Sequence, residues 1–325
     1  MSQQTIFITG ASGYIGSLLT AHAISHGYTV RALSRTPSSD TKLSSLGAVP
    51  IRGDLTSHSV LTQEASTADM VLSLADSLAG NYGKITQEER FKVNNGAISA
   101  LAKGLEGSGK ALVVTSGSLY SAADPNGGET DETSPGRPGG FFGTDSHGKA
   151  LGEGSERVAL AAKEKGVRVC VVRLAPWVYG RGGSGVKLFM QGGVAAGEMI
   201  YVGDGAARTT TVHVEDAARL FLLVAEKGRA GEVYNATAET HVTFKQLAEA
   251  MGKAIGVPVR AQSYEDTEKK MGPFMTKFLS LENRASNRKA REELGWTVEA
   301  QKGILEEIAD GSYGEVAEEL RKAKA

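Results

Sequence analysis

Three glycines, Gly10, Gly13 and Gly16, stand three residues apart, and this spacing suits the binding of a diphosphate. The apolar run before them, residues 4–9, predicts a β-strand, and residues 17–25 predict a helix. A strand that turns directly into a helix presents unpaired N–H groups and the positive end of the helix dipole to an anion. Glycine permits the tight turn and the close approach of a pyrophosphate. The predicted dinucleotide-binding turn consists of Gly10, Ser12, Gly13, Tyr14, Ile15 and Gly16.

A second group of reactive side chains lies in one short segment that contains Asp145, His147 and Lys149. Asp145 and Lys149 are four residues apart, so on a helix they would be neighbours. The ammonium group would favour the ionised carboxylate, which suits a general base or a cation stabiliser better than a proton donor. An unperturbed imidazole titrates near neutral pH, which makes His147 a candidate donor. Two residues along a helix, however, would turn it away from the Asp145–Lys149 face.

Strands and helices that could position these groups alternate along the first half of the chain. The predicted strands are 5–9, 29–33, 49–52, 70–74, 111–115 and 167–174, and the predicted helices are 17–25, 88–105 and 149–165. This alternation predicts an α/β fold with a parallel sheet covered on both faces. Ligands bind such sheets beyond the carboxyl ends of the strands, where the strand order reverses.

The second half of the chain predicts a smaller lobe that caps the cleft. From about residue 237 the pattern is mostly helical, with predicted helices at 244–255, 286–294 and 304–323. Residues 123–143 are rich in Gly, Pro, Asp and Ser and predict a long exposed loop, a frequent form of functional lid. We expect a dinucleotide-binding domain at 1–175, completed by about 210–236, and a substrate-binding lobe at 176–325.

Composition excludes several classes of function. The chain has 325 residues, 41% of them hydrophobic and 22% charged, and a net charge of −1, which gives no general attraction to nucleic acid. No apolar run is long enough to cross a membrane, and the N-terminus lacks a secretory signal. The single cysteine, Cys170, lies in an apolar run and predicts a buried thiol. We therefore expect a cytoplasmic protein with a small-molecule substrate and, since no ligand spacing is present, no metal.

Further motifs along the chain resemble the extended short-chain dehydrogenase/reductase superfamily, in its NAD(P)-dependent epimerase/dehydratase branch. The matching segments are residues 9–16, 53–55, 93–94, 115–116 with Tyr120, Lys149 with 152–153, 173–180, 213–216 and 294–296. The resemblance covers nearly the whole chain. It implies a Rossmann-type doubly wound parallel sheet with a smaller, mostly helical C-terminal substrate lobe, and a monomer or homodimer.

The resemblance also implies roles for individual residues along a bound nicotinamide dinucleotide. Asp54 and Leu55 would flank the adenine, although Asp54 has an alternative role as a turn or helix cap. The remaining implied cofactor contacts are Leu74 and Ala75 at the ribose, Lys149 at the nicotinamide ribose, and the backbone at Pro176 and Val178 near the carboxamide. Ser116, at the end of the fifth strand, would hold the substrate oxygen.

The end of the second predicted strand favours NADP(H) over NAD(H). An NAD-selective relative would carry an acidic residue there to accept hydrogen bonds from the ribose diol. Here Ser34 holds that position and Arg35 follows it, and Arg31 lies nearby. An arginine offers a planar, permanently charged fork for a phosphate. The alternative is that Arg31 and Arg35 are simply surface residues.

The chain departs from the family pattern at the active site, because Asp145 stands where the family has a tyrosine four residues before Lys149. Three hypotheses about the function remain open. The first is an oxidoreductase whose small organic substrate, an activated carbonyl, alkene or iminium, needs little protonation. The second is an epimerase, isomerase or lyase with Asp145 as general base, and the third is a non-catalytic NADP(H) sensor. Arg208 stands one residue before the phosphate-gripping position of many relatives, which disfavours a nucleotide-sugar substrate.

Overall fold

The computed structural model describes residues 3–79, 81, 84–143 and 153–324. The described strands are β1 Thr5–Thr9, β2 Thr29–Ser34, β3 Val49–Arg52, β4 Met70–Ser73, β5 Ala111–Gly117, β6 Arg168–Leu174, β7 Trp177–Tyr179, β8 Met199–Val202, β9 Arg208–His213, β10 Glu232–Ala236, β11 Glu239–Thr243 and β12 Val259–Gln262. The described α-helices are α1 Tyr14–Ser25, α2 Pro37–Ser45, α3 His58–Thr67, α4 Gln87–Gly104, α5 Glu153–Leu160, α6 Ser184–Ala196, α7 Val214–Lys227, α8 Phe244–Ile255, α9 Tyr264–Phe278, α10 Arg288–Leu294, α11 Ile304–Asp310 and α12 Tyr313–Lys324.

The main sheet has seven strands in the order β10-β6-β5-β4-β1-β2-β3, and each neighbouring pair is parallel. The strand order reverses between β1 and β4, which opens a crevice at the carboxyl ends of these strands. This topology confirms the predicted doubly wound α/β fold.

Helices bury both faces of the main sheet. Along β1, Ile6 and Ile8 pack into the core on one face and Phe7 into the core on the other, and all three are fully buried. The first core includes side chains of α1, α7 and α10, and the second includes side chains of α3, α4 and α5. Burial on two faces explains why these strands are continuous apolar runs rather than alternating ones.

A third core belongs to the C-terminal lobe. It joins α6, α8, α11 and α12 to two small sheets, one of order β11-β9-β7 and one that pairs β12 with β8. Helix α8 begins with a capping box, in which the Thr243 and Gln246 side chains each accept a hydrogen bond from the other residue's backbone N–H. Strand β10 lies beyond residue 175 in the sequence but belongs to the main sheet. The division of the chain into two domains near residue 175 stays a prediction.

Several elements differ from the sequence-based expectation. Helices α2, α3 and α9 were not predicted, and the single helix predicted over 304–323 is wrong, because Gly311 adopts an extended conformation that separates α11 from α12. The segment predicted as a long exposed loop at 123–143 buries Thr130 and Phe141. The helix predicted at 149–165 is present as α5 and a following 3-10 turn at Ala161–Lys165, while 149–152 lie outside the described residues. In the described chain, no helix combines the length and apolarity needed to span a membrane.

Candidate active site

The turn between β1 and α1 has the geometry of an anion-binding loop. Gly10 has a φ of +77°, and a Cβ there would lie 2.8 Å from the backbone N of Ala75. A Cβ on Gly16 would lie 2.0 Å from the carbonyl oxygen of Gly10. Gly13 occupies the N-cap of α1 and has no side chain with which to cap the helix. The backbone N–H groups in the first turn of α1 therefore face the crevice, and Gly13 offers them no side-chain acceptor.

Tyr14 and Ile15 support this turn from within the protein. The Tyr14 hydroxyl donates to the Gly180 carbonyl at 2.6 Å, which joins the start of α1 to the segment after β7. Burial is the main cause that raises the pKa of Tyr14, so the phenol stays protonated. Ile15 packs against the core beneath the sheet.

Three exposed cations lie around the end of β2. The Arg35 guanidinium donates to the Ala79 carbonyl at 3.3 and 3.2 Å, and Lys42 Nζ donates to the Ser12 carbonyl at 2.8 Å. Arg52 donates to the Ser34 carbonyl at 3.3 Å and also forms an ion pair with the Asp40 carboxylate of α2. We call Arg35, Lys42 and Arg52 the basic corner. Lys42 and Arg52 were missed in the sequence because their contacts with Ser12 and Ser34 depend on α2 and β3.

Ser34 and Arg31 have settled partners. Ser34 is buried, and its hydroxyl donates to the Thr36 carbonyl at 3.3 Å. Arg31 forms two hydrogen bonds with the Glu64 carboxylate, at 2.6 and 2.9 Å. This pairing commits the Arg31 guanidinium to α3. Arg35 is therefore the arginine at the end of β2 that is available to a phosphate.

Asp54 and Leu55 follow β3 at the edge of the crevice. The Asp54 carboxylate accepts from the Thr56 hydroxyl at 2.6 Å and from the Thr56 backbone N–H at 2.8 Å. The Thr56 hydroxyl is the main cause that holds the pKa of Asp54 below its ordinary value. This is a turn built by a carboxylate, the structural role that the sequence left open. Leu55 is buried and lines the cavity described next.

A cavity of about 1010 Å³ extends from the carboxyl ends of β4 and β5 into the C-terminal lobe. Its inner end has an apolar wall with Ser116 at its edge, formed by Leu55, Leu74, Ala75, Ala175, Pro176 and Ser116. Val178 instead lies buried in β7, next to Val212 of β9. The inner end thus brings together Leu74, Ala75, Pro176 and Ser116, while Lys149, also predicted at the nicotinamide ribose, lies outside the described residues.

Ser116 belongs to a buried hydrogen-bonded group that sequence reasoning missed. Its hydroxyl lies 2.5 Å from the Glu156 carboxylate, which also accepts from Arg173 Nε at 2.9 Å and from Arg173 Nη2 at 2.8 Å. Glu156 and Arg173 are only 4% and 3% exposed. Since a carboxylate paired with arginine accepts hydrogen bonds, Ser116 donates its proton to Glu156 and turns lone pairs toward the cavity.

The register of the sheet explains this group. Ser116 of β5 stands opposite Arg173 of β6. The Arg173 guanidinium also lies 3.9 Å from the ring centroid of Tyr120. The sequence did contain a signal for this group. Arg173 lies inside the apolar run 167–174, and a buried arginine requires a charged or hydrogen-bonding partner.

A second ion pair lies on the cavity wall at Asp76 and Arg90. Arg90 Nε donates to both Asp76 carboxylate oxygens, at 2.9 and 3.0 Å. Burial acts to raise the pKa of Asp76, but the hydrogen bonds and charge of Arg90 outweigh it and hold the pKa below its ordinary value. The Arg90 guanidinium also lies over the rings of Phe91 and Phe142.

The model of the NAD dependent epimerase/dehydratase family matches residues 6–237, well over half of the chain. The chain belongs to the NAD-dependent epimerase/dehydratase family. The matched part includes the glycine turn, the basic corner, Ser116 and the Glu156–Arg173 pair.

Individual proteins of known sequence or structure resemble this epimerase/dehydratase family member over most of its length. An uncharacterized protein of Saccharomyces cerevisiae is 35% identical over 93% of this chain and 97% of its own. The decarboxylating sterol-4-alpha-carboxylate 3-dehydrogenase of Dictyostelium discoideum is 28% identical over 78% of this chain and 77% of its own. A solved dTDP-glucose 4,6-dehydratase of Streptomyces venezuelae with NAD bound has a TM-score of 0.75 at 21% identity, and the match covers 98% of both chains. The structural likeness supports the fold.

The epimerase/dehydratase family uses a nicotinamide dinucleotide, and the described residues fit one. Gly10 and Gly16 let the turn pack tightly against Ala75 and the Gly10 carbonyl, and Gly13 leaves the N-terminus of α1 without a side-chain cap, as a diphosphate site requires. As a family member, the chain is an NAD(P)-dependent enzyme of the oxidoreductase or epimerase type. Three candidates for the chemistry, Asp145, His147 and Lys149, lie outside the described residues, and their roles stay predictions.

Proposed function

We propose that the protein is an NADP(H)-dependent oxidoreductase acting on a small organic substrate with an activated carbonyl, alkene or iminium group. The observation that carries the cofactor preference is the basic corner around Ser34. Arg35 and Lys42 supply positive charge there, Arg52 is shared with the Asp40 carboxylate, and the Ser34 side chain is neutral where an NAD-selective relative would carry an acid. A 2′-phosphate on the adenine ribose would accept hydrogen bonds from these cations.

The substrate class follows from the state of Ser116. The bound cofactor supplies a hydride to the electrophilic carbon of the substrate. Ser116 already donates to the Glu156–Arg173 pair, so its lone pairs rather than its proton face the cavity. An iminium accepts hydride without a proton, and an activated alkene or carbonyl takes its balancing proton from another donor, for which His147 remains a candidate. Lys149 would bind the nicotinamide ribose, and Asp145 would stabilise a cation.

A nucleotide titration tests the cofactor preference. We expect wild-type protein to bind NADPH more tightly than NADH, and Arg35→Ala to lose about 30-fold in NADPH affinity with little change for NADH, since a charge-assisted hydrogen bond contributes about 2 kcal/mol. Arg321→Ala is the matched control, because Arg321 is also exposed and donates to a carbonyl, that of Ala254. An Arg35→Ala variant with unchanged NADPH affinity would refute the assignment.

A turnover assay distinguishes the oxidoreductase from an epimerase, isomerase or lyase that uses Asp145 as general base. We expect substrate-dependent oxidation of NADPH, followed by absorbance. Turnover without net change of the cofactor, abolished in Asp145→Asn, would instead support the epimerase, isomerase or lyase reading. Tight NADPH binding with no turnover across a broad panel of carbonyls, enones and imines would support a sensor.

A further inference from the structure

The outer end of the cavity has a wall of aromatic rings from three separate parts of the chain. Phe91 comes from α4, Phe141 and Phe142 from the loop before residue 144, and Phe274 from α9. The ring centroids of neighbouring members lie 5.0 to 5.9 Å apart, and Phe142 and Phe274 stack with an interplanar angle of 19°. We call these four residues the phenylalanine wall.

The phenylalanine wall is held in place by backbone features. Gly272, with a φ of +79°, and Pro273 interrupt α9 immediately before Phe274. Lys277, one turn later, donates to the carbonyls of Gly140 and Phe141 at 2.9 and 3.1 Å. The loop and the helix are therefore tied together, so Phe141 and Phe274 meet in a defined arrangement.

Large apolar surfaces of this end remain open to water. Phe274 is 41% exposed, and Leu188 of α6, which also lines the cavity, is 64% exposed. Exposed apolar side chains that face a cavity gain free energy when an apolar ligand removes them from water.

The charged groups of the described wall are already neutralised. Arg90 is paired with Asp76, and Lys270 is paired with Glu198 at 2.9 Å. Arg208 is not among the residues that line the cavity, and it pairs with Glu282 at 2.6 Å. An anionic ligand, such as a nucleotide diphosphate, would have to compete with the Asp76 or Glu198 carboxylate for the paired cation.

We propose that the outer end of this cavity binds the uncharged, ring-bearing apolar part of the substrate, with the reactive group directed toward the inner end of the cavity near Ser116. This inference rests on the proposed function only for the position of the reactive group. A volume of about 1010 Å³ accommodates both the nicotinamide end of a cofactor and a substrate of several rings. The phenylalanine wall stacks against the rings of the substrate.

Equilibrium binding of Nile red, an uncharged polycyclic dye, tests the proposal on the full chain with and without NADPH. We expect Nile red to bind, Phe274→Ala to weaken its binding about 10-fold, and Leu188→Asn to weaken it also. Tyr264→Ala is the control on the same helix, because Tyr264 is 48% exposed but is not among the residues that line the cavity. UDP-glucose at millimolar concentration should not displace the dye.

Three results would overturn the proposal: no binding of Nile red, the same dye affinity in Phe274→Ala as in Tyr264→Ala, or displacement of the dye by UDP-glucose. The proposed function fails separately. NADPH affinity, measured on the same samples, should change less than twofold in Phe274→Ala, and a protein that binds Nile red but not NADPH would contradict the cofactor assignment while leaving the apolar site intact.

Discussion

Replacement of Glu156 by glutamine removes one charge from the buried group behind Ser116 and keeps the side-chain volume. Arg173, 3% exposed, would then lie in the interior without its carboxylate partner. Loss of one partner from a buried ion pair destabilises a protein by about 3–5 kcal/mol. With an unfolding entropy of about 0.7 kcal/mol per kelvin for a chain of this length, the expected fall in Tm is about 4–7 °C.

Thermal unfolding followed by circular dichroism measures this change. Glu164→Gln is the control, since Glu164 is exposed on the 3-10 turn that follows α5. The double variant Glu156→Gln/Arg173→Met removes both charges, so its loss of stability should be smaller than the sum of the two single losses. A fall below about 1 °C in Glu156→Gln, or a double variant whose loss equals that sum, would refute the account of a charged pair.

Further predictions concern the glycine turn and the cavity wall. Gly16→Ala should abolish measurable NADPH binding by calorimetry, because the added Cβ would lie 2.0 Å from the Gly10 carbonyl oxygen, whereas Gly314→Ala, with open space around its Cβ, should bind normally. Binding by Gly16→Ala at wild-type affinity would contradict the proposed diphosphate contact. Asp76→Asn should lower the free energy of unfolding at neutral pH, measured in urea. Because the folded-state pKa of Asp76 is depressed, its contribution is present above the ordinary carboxyl pKa of about 4 and is lost as the pH falls through the folded-state value. A deficit in Asp76→Asn that stays constant down to pH 2 would exclude this linkage.

Six of the seven strands of the main sheet were readable from the sequence, most clearly those that are buried on both faces; β10 was not predicted, and β3 is only partly buried. β1, β3 and the end of β6 coincide with the predicted segments, and β5 extends two residues further. Helix α2 escaped prediction because it is largely polar and buries only Leu43, although Thr36 as N-cap and Pro37 after it are a start signal. Helix α9 escaped prediction for a different reason, because Gly272 and Pro273 interrupt it.

The candidate site was readable where it depends on consecutive residues, and much less so where it depends on the fold. The glycine turn and the Ser34-Arg35 step are local, and the structure places them at the crevice. Glu156 reaches Ser116 only because α5 packs beside β5 and β6, and the phenylalanine wall gathers residues separated by more than a hundred positions. Contacts of this kind arise from tertiary packing, which no local spacing encodes.

We propose that the glycine turn and the basic corner together hold the phosphorylated dinucleotide. Calorimetric titration of the unmodified protein with 2′,5′-ADP and with 5′-AMP tests it directly, because these ligands differ by the 2′-phosphate. We expect 2′,5′-ADP to bind at least 10-fold more tightly. Equal affinities for the two ligands, or no heat from either one, would contradict the claim.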